Sequence, residues 1–335
     1  MKKLRQKMLI ICLCLVLAAN LAACGRERAP LIVEGRLNVI CTNFPAYDFA
    51  RQIAGERANV SLLIPPGAES HSYEPTPQDM AALSRCGLIV ANGGVGESWL
   101  ESLLEAGEVG APVVYMLESV SLIEEEHKEG MQAVAHAHEH DESCEHEHEH
   151  EHGGEGDQEA EFDEHVWTSP RNAAHICSHI AAALCELDPA GESYYKERLD
   201  IYSQQLLSLD AAFRETVDRA SGRTMIFADR FPVRYFVEEY GLDYYAAFPG
   251  CAEDTEPSAR TVAFLIDKVR EQGIEAVYYI EFSNEKMADV IVEDTGCKKL
   301  LFHSCHNVST DELESGITYL ALMEQNLKNL KEGLG

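Results

Sequence analysis

Between His127 and His152 the chain alternates histidine with glutamate and shows no hydrophobic period of either kind. Such a stretch has too little apolar surface to offset the entropy of ordering, so it belongs to no core. The fold must therefore be assembled from what lies on either side of an acidic insertion running from about Leu122 to Glu164. The insertion still carries chemistry, because neutral imidazole is the commonest metal ligand and carboxylates fill in around it. By composition His136, His138, His140, His146, His148, His150 and His152 form an auxiliary, low-affinity metal loop.

The flanks read as alternating strands and helices. Before the insertion, LNVIC at Leu37–Cys41, Val60–Ile64, LIVAN at Leu88–Asn92 and Val113–Met116 are strands, separated by helical spacing at Ala46–Ala54, Thr76–Arg85 and Ser98–Ala106. After it, Pro170–Leu187 is a helix. A long helix from Glu192 to about Ala220 then places Tyr195, Leu199, Tyr202, Leu206, Leu209 and Phe213 at near i, i+3, i+4, i+7 intervals. A second block has strands at Thr224–Ala228, Tyr244–Ala247, Ala276–Glu281 and Lys299–Phe302, with helices between them and a terminal helix at Ile317–Leu334. This alternation predicts an α/β fold of two doubly wound lobes joined by one long rigid helix. The expected organisation is a first lobe over 36–187, a linking helix over 188–221 and a second lobe over 222–335.

The N-terminus is a targeting segment. Lys2, Lys3, Arg5 and Lys7 precede a short apolar run and then Leu21-Ala22-Ala23-Cys24. The tetrapeptide resembles the bacterial lipobox, so 1–23 is expected to leave as a signal peptide, Cys24 to be lipidated and 24–35 to act as a tether. The net charge of −30, concentrated between Glu124 and Glu164, argues against nucleic acid and an anionic membrane surface, and suits cations. The eleven cysteines follow no C-x-x-C zinc pattern, and those scattered among apolar segments read as small buried residues.

Lobes of this kind place ligands past the C-terminal ends of strands. Three histidine-bearing pieces fall there: SHSYEPTP with His71, DEHVWTSP with His165, and His303-Ser304-Cys305-His306. Two or three imidazoles with a carboxylate make a closed four-coordinate zinc site, whereas manganese asks for more oxygen ligands. SHSYEPTP and DEHVWTSP resemble the two histidine motifs of the metal-binding lipoproteins of zinc/manganese ABC importers, and the resemblance covers essentially the whole mature chain. It implies two α/β lobes with the metal in the cleft between them, and first-lobe ligands His71 and His165. It further expects a second-lobe histidine at a position that falls on Arg230, and an acidic residue at one that falls on His303. Arg230 has no lone pair to give. The expected ligand set is therefore His71, His165, His303 and a carboxylate from Asp229 or Glu281, with His306 behind His303 as a candidate.

The resemblance implies a non-enzymatic, monomeric receptor on the outer face of the cell membrane. It would capture Zn²⁺ and deliver it to a membrane permease driven by an ATPase. The alternatives are Mn²⁺ as cargo, an extracellular zinc-buffering or adhesion lipoprotein, and a zinc hydrolase; outside the His/Glu tract no His-Glu-x-x-His or Gly-x-Ser-x-Gly motif supports the last.

Overall fold

A computed structural model describes residues 30–68, 73–132, 162–250, 252 and 257–335. The signal segment with Cys24, His71, and the histidines from His136 to His152 lie outside the described residues. Leu31–Gly335 make up one unit, and both lobes belong to it.

The first lobe holds β1 (Leu37–Cys41), β2 (Ala58–Leu62), β3 (Leu88–Ala91) and β4 (Val113–Tyr115), in the order β2-β1-β3-β4. The second holds β5 (Thr224–Phe231), β6 (Asp243–Pro249), β7 (Ala276–Tyr279) and β8 (Lys298–Leu301), in the order β6-β5-β7-β8. Every neighbouring pair is parallel. Such sheets are buried on both faces, which is why their strands read as continuous apolar runs. Val39 and Cys41 point to the inner core, while Ile40 joins Leu83, Ile89 and Leu100 on the outer face. Met225 and Phe227 alternate in the same way with Ile226 and Ala228.

The helices start where the local chemistry satisfies their first amides. Asn43 accepts from the Ala46 amide at 3.0 Å and opens α1 (Phe44–Ala54). Thr76 and Asp79 form a reciprocal capping box at α2 (Pro77–Leu83). α3 (Ser98–Glu105) covers the outer face. Ser169 caps α4 (Pro170–Leu187). The long helix α5 (Glu192–Arg219) has 28 residues, about 42 Å at 1.5 Å per residue. It is followed by α6 (Arg234–Tyr240), α7 (Ala259–Gln272), α8 (Lys286–Thr295), α9 (Thr310–Ser315) and α10 (Tyr319–Leu334). α6 ends at Gly241, whose φ of 63° is one that side-chain-bearing residues rarely adopt.

The two lobes are not separate cores. Tyr202, Leu206, Leu209 and Phe213 of α5 lie in one buried cluster with Val39 and Phe49 of the first lobe and Phe227, Phe236 and Phe302 of the second. A segment leading into the acidic insertion adds a strap. The Ile123 amide donates to Tyr235 Oη at 3.2 Å, Lys128 pairs with Asp243 and lies 4.3 Å from the Tyr244 ring centroid, and the Gln132 amide donates to Ala247 O at 2.9 Å.

The α/β fold of two parallel lobes with a long helix matches the sequence expectation, with differences at the edges. β5 and β6 run on to Phe231 and Pro249, past a register shift between Phe227 and Arg230. α9 was not expected. No helix among the described residues is long and apolar enough to cross a membrane.

Candidate metal-binding site

In each sheet the strand order reverses between the first and third strands of that lobe, β1/β3 and β5/β7, and ligand crevices open at such points. A cavity of about 40 Å³ lies at the β5/β7 point, its wall including His165, Arg230, Glu281, Phe282, Ser304 and His306. That is room for an ion and about one water.

His165 reaches the cavity from the first lobe. It follows β4 and the insertion, and the Asp163 carboxylate holds it twice. Asp163 Oδ1 accepts the His165 amide at 2.8 Å and stands 3.2 Å from Nδ1. With Nδ1 turned to Asp163, Nε2 is the nitrogen aimed away, the carboxylate–histidine geometry that fixes metal-ligating imidazoles. His165 is 1% exposed. Burial pulls its pKa down, but the Asp163 carboxylate, by charge and hydrogen bond, and Glu164 more than reverse this, so the net shift is upward. Glu164 anchors the neighbouring backbone: its carboxylate accepts the amides of Val95 at 2.6 Å and Gly96 at 3.3 Å, and Asn92 Nδ2 donates to its carbonyl at 3.0 Å. Gly250 closes in on the other side, where a Cβ would meet Phe231 O at 2.9 Å and His165 Cε1 at 3.3 Å.

The second lobe supplies the rest. The His165 and His306 ring centroids are 5.6 Å apart at 86°, and Trp167 stands 5.0 Å from His306. Glu281 follows β7 and accepts from both the amide (2.7 Å) and the hydroxyl of Ser304. The segment after β8 is stitched across the cleft. Trp167 Nε1 donates to Ser304 O at 2.8 Å, Asn307 Nδ2 to Ala68 O at 2.8 Å, and the Gly67 amide to Val308 O at 2.9 Å.

Of the sequence candidates, His165 and Glu281 line this cavity, and His306 lines it where His303 was preferred. His303 and Asp229 lie outside its wall among the described residues. Cys305 explains the first difference, because its φ of 63° turns the chain between the two histidines. His303 Nδ1 accepts the Cys305 amide at 2.9 Å, Asn326 clamps its backbone, and Nε2 is buried without a hydrogen-bond partner among the described residues. Asp229 is buried and accepts the Arg230 amide at 2.8 Å, and burial raises its pKa. Arg230 takes the place on the wall. Asp163 was missed as an orienting group, although a carboxylate two residues before a motif histidine was visible. Among the described residues no three His, Cys, Asp or Glu side chains stand close enough to hold an ion together. His71 lies outside the described residues, three positions after Ala68, which lines the cavity.

The chain is similar to known proteins over nearly its whole length. The chain is 31% identical to the high-affinity zinc uptake system protein ZnuA of Bacillus subtilis over 332 residues, covering 97% of this chain and 96% of that one. It is 29% identical to the zinc-binding lipoprotein AdcA of Streptococcus pneumoniae, of whose length it spans 61%. Among solved structures, the Zn(II)-bound ZnuA-like domain of Streptococcus pneumoniae AdcA superposes with a TM-score of 0.70 at 26% identity, covering 90% of this chain and 99% of that one. The metal-dependent lipoprotein YcdH of Bacillus subtilis gives 0.70 at 29%, covering 88% and 98%. The model of the family described as zinc-uptake complex component A, periplasmic, matches residues 39–333, and the chain belongs to that ZnuA family.

Proposed function

We propose that this protein is the extracytoplasmic receptor of a zinc importer, binding Zn²⁺ in the inter-lobe cleft and passing it to a permease driven by an ATPase. The observation that carries the reading is the pair His165 and His306, one from each lobe, meeting edge to face on the wall of a small cavity that Glu281 also lines. In our reading His165 and His306 are ligands, His71 is a third, and Glu281 joins by exchanging its bonds to Ser304. Three imidazoles and one carboxylate favour zinc over manganese. Asp229 and His303 support the wall from behind.

The lipid anchor at Cys24 is part of the same reading, supported by the Leu-Ala-Ala-Cys motif and by the word lipoprotein in the names of two relatives. Such an anchor holds a monomer on the outer membrane face. The His/Glu loop gathers cations electrostatically near the cleft. Its flanks support that role, because Gln132 is tied to the second lobe and the Asp163 amide donates to Ile123 O at 3.0 Å, two residues before His165.

The test is calorimetric titration of metal-free mature protein lacking 133–152 with zinc and manganese, beside His165→Ala, His306→Ala and His303→Ala. One tight zinc site, lost in the first two variants and kept in the third, is the expected result. Loss with His303→Ala and retention with His306→Ala would reassign the ligand. No tight site in the parent protein would sink the cleft reading.

A further inference from the structure

Phe282 combines three features that ordinary packing does not explain. Its φ is 60°, in a turn closed by the Ser283 amide donating to Ile280 O at 3.4 Å. That third position of a turn with positive φ ordinarily goes to glycine or asparagine. The residue is 56% exposed, so burial in a core does not offset the strained backbone. Yet the same residue lines the cavity, next in sequence to Glu281. Glu285, three residues on, also has a positive φ, of 58°. Strain kept where the surroundings gain no packing from it is a pointer to function.

We infer that Phe282 is the apolar cover of the metal cavity and sets how long the ion stays. This rests on the zinc-site reading above. The residue borders the cavity and is also open to solvent, a position from which its side chain would shield the Glu281 side of the site from water. An apolar shell controls solvent access to a metal site. A glycine in this turn would relieve the backbone and leave the cavity open. The left-handed φ is kept at a bulky residue directly after Glu281, on the cavity wall. Ser283 and Asn284 next to it offer only small polar groups. The cover acts on exit and entry alike, so it alters exchange rates more than equilibrium affinity.

The experiment is zinc release from the zinc-loaded mature chain into excess chromophoric chelator, with association measured separately, for the parent, Phe282→Ala, Phe282→Gly and Phe282→Leu. Release about tenfold faster or more in the Ala and Gly variants is expected, with faster association and a smaller change in Kd. Leu should restore slow release, because it replaces the apolar cover. The metal-free Gly variant should melt no lower than the parent, since glycine relieves the φ; a merely structural role would instead lower its Tm. Release within twofold of the parent in Phe282→Ala overturns the inference, as does equal acceleration in Ala and Leu. His165→Ala run beside them separates the two readings: if it binds zinc like the parent, the cleft site itself is wrong.

Discussion

Asp163 decides which nitrogen His165 offers. Removing the charge while keeping the shape, in Asp163→Asn, should weaken zinc binding about 10- to 100-fold in a competition titration, as for other partners of ligating histidines. The same carboxylate sets a pH dependence. A histidine whose folded pKa is raised gives the metal-free protein stability that is fully present below the ordinary 6.5 and lost as pH rises through the raised value. Metal wants the other form, so zinc affinity should begin to fall above pH 6.5 as acid is added, seen by titrating at several pH values. Gly250→Ala should also weaken zinc, because its Cβ would press on Phe231 O and the His165 ring. His165 was legible because an eight-residue motif surrounds it. The choice between His303 and His306 was not, because it depends on the backbone turn at Cys305, a φ that no residue type announces. Arg230 was legible as a departure, but not as a wall of the cavity.

Elements with a hydrophobic period or a cap were readable: α1, α2, α4 and α5 begin within two residues of their sequence signals. α9 carries a Ser309–Glu312 capping box that was visible as S-x-x-E, but only six residues follow it and none of them is buried, so no periodicity supported it. The ends of β5 and β6 were missed because the ladder resumes at polar Arg230, past an irregularity that holds Ala228 and Asp229. The turn between β3 and α3 holds an ionisable group that the metal chemistry does not use. Glu97 is buried, which raises its pKa to about 7, against the donated Gly93 amide at 2.9 Å. A carboxyl raised in the fold contributes stability that is present below its unfolded pKa and lost as pH rises through about 7. Glu97→Gln should therefore stabilise the protein at pH 8, on the order of 2 kcal/mol, and do little at pH 4, measured by urea unfolding.

At the scale of the molecule, α5 and the strap from Ile123 to Gln132 bind the lobes into one body. Phe213→Ala should cost about 3–5 kcal/mol and still give a single unfolding transition by both fluorescence and circular dichroism, because its cluster reaches into both lobes. Zinc at 100 times its Kd should add about 2.7 kcal/mol, a gain that persists when 133–152 are removed. The paired strand orders carry a further meaning. Both lobes run second-first-third-fourth, so the halves share one frame. A Phe-Pro pair opens α1 at Phe44-Pro45 and another closes β5 at Phe231-Pro232, with Phe49 and Phe236 five residues after each phenylalanine. At the residue before that pair the halves part. In the first half Asn43 caps a helix; in the second Arg230 lines the cleft, and α6 starts without any side-chain cap. One frame thus carries a helix cap in its first half and a wall of the binding site in its second, which makes the two halves alike in frame and unlike in chemistry.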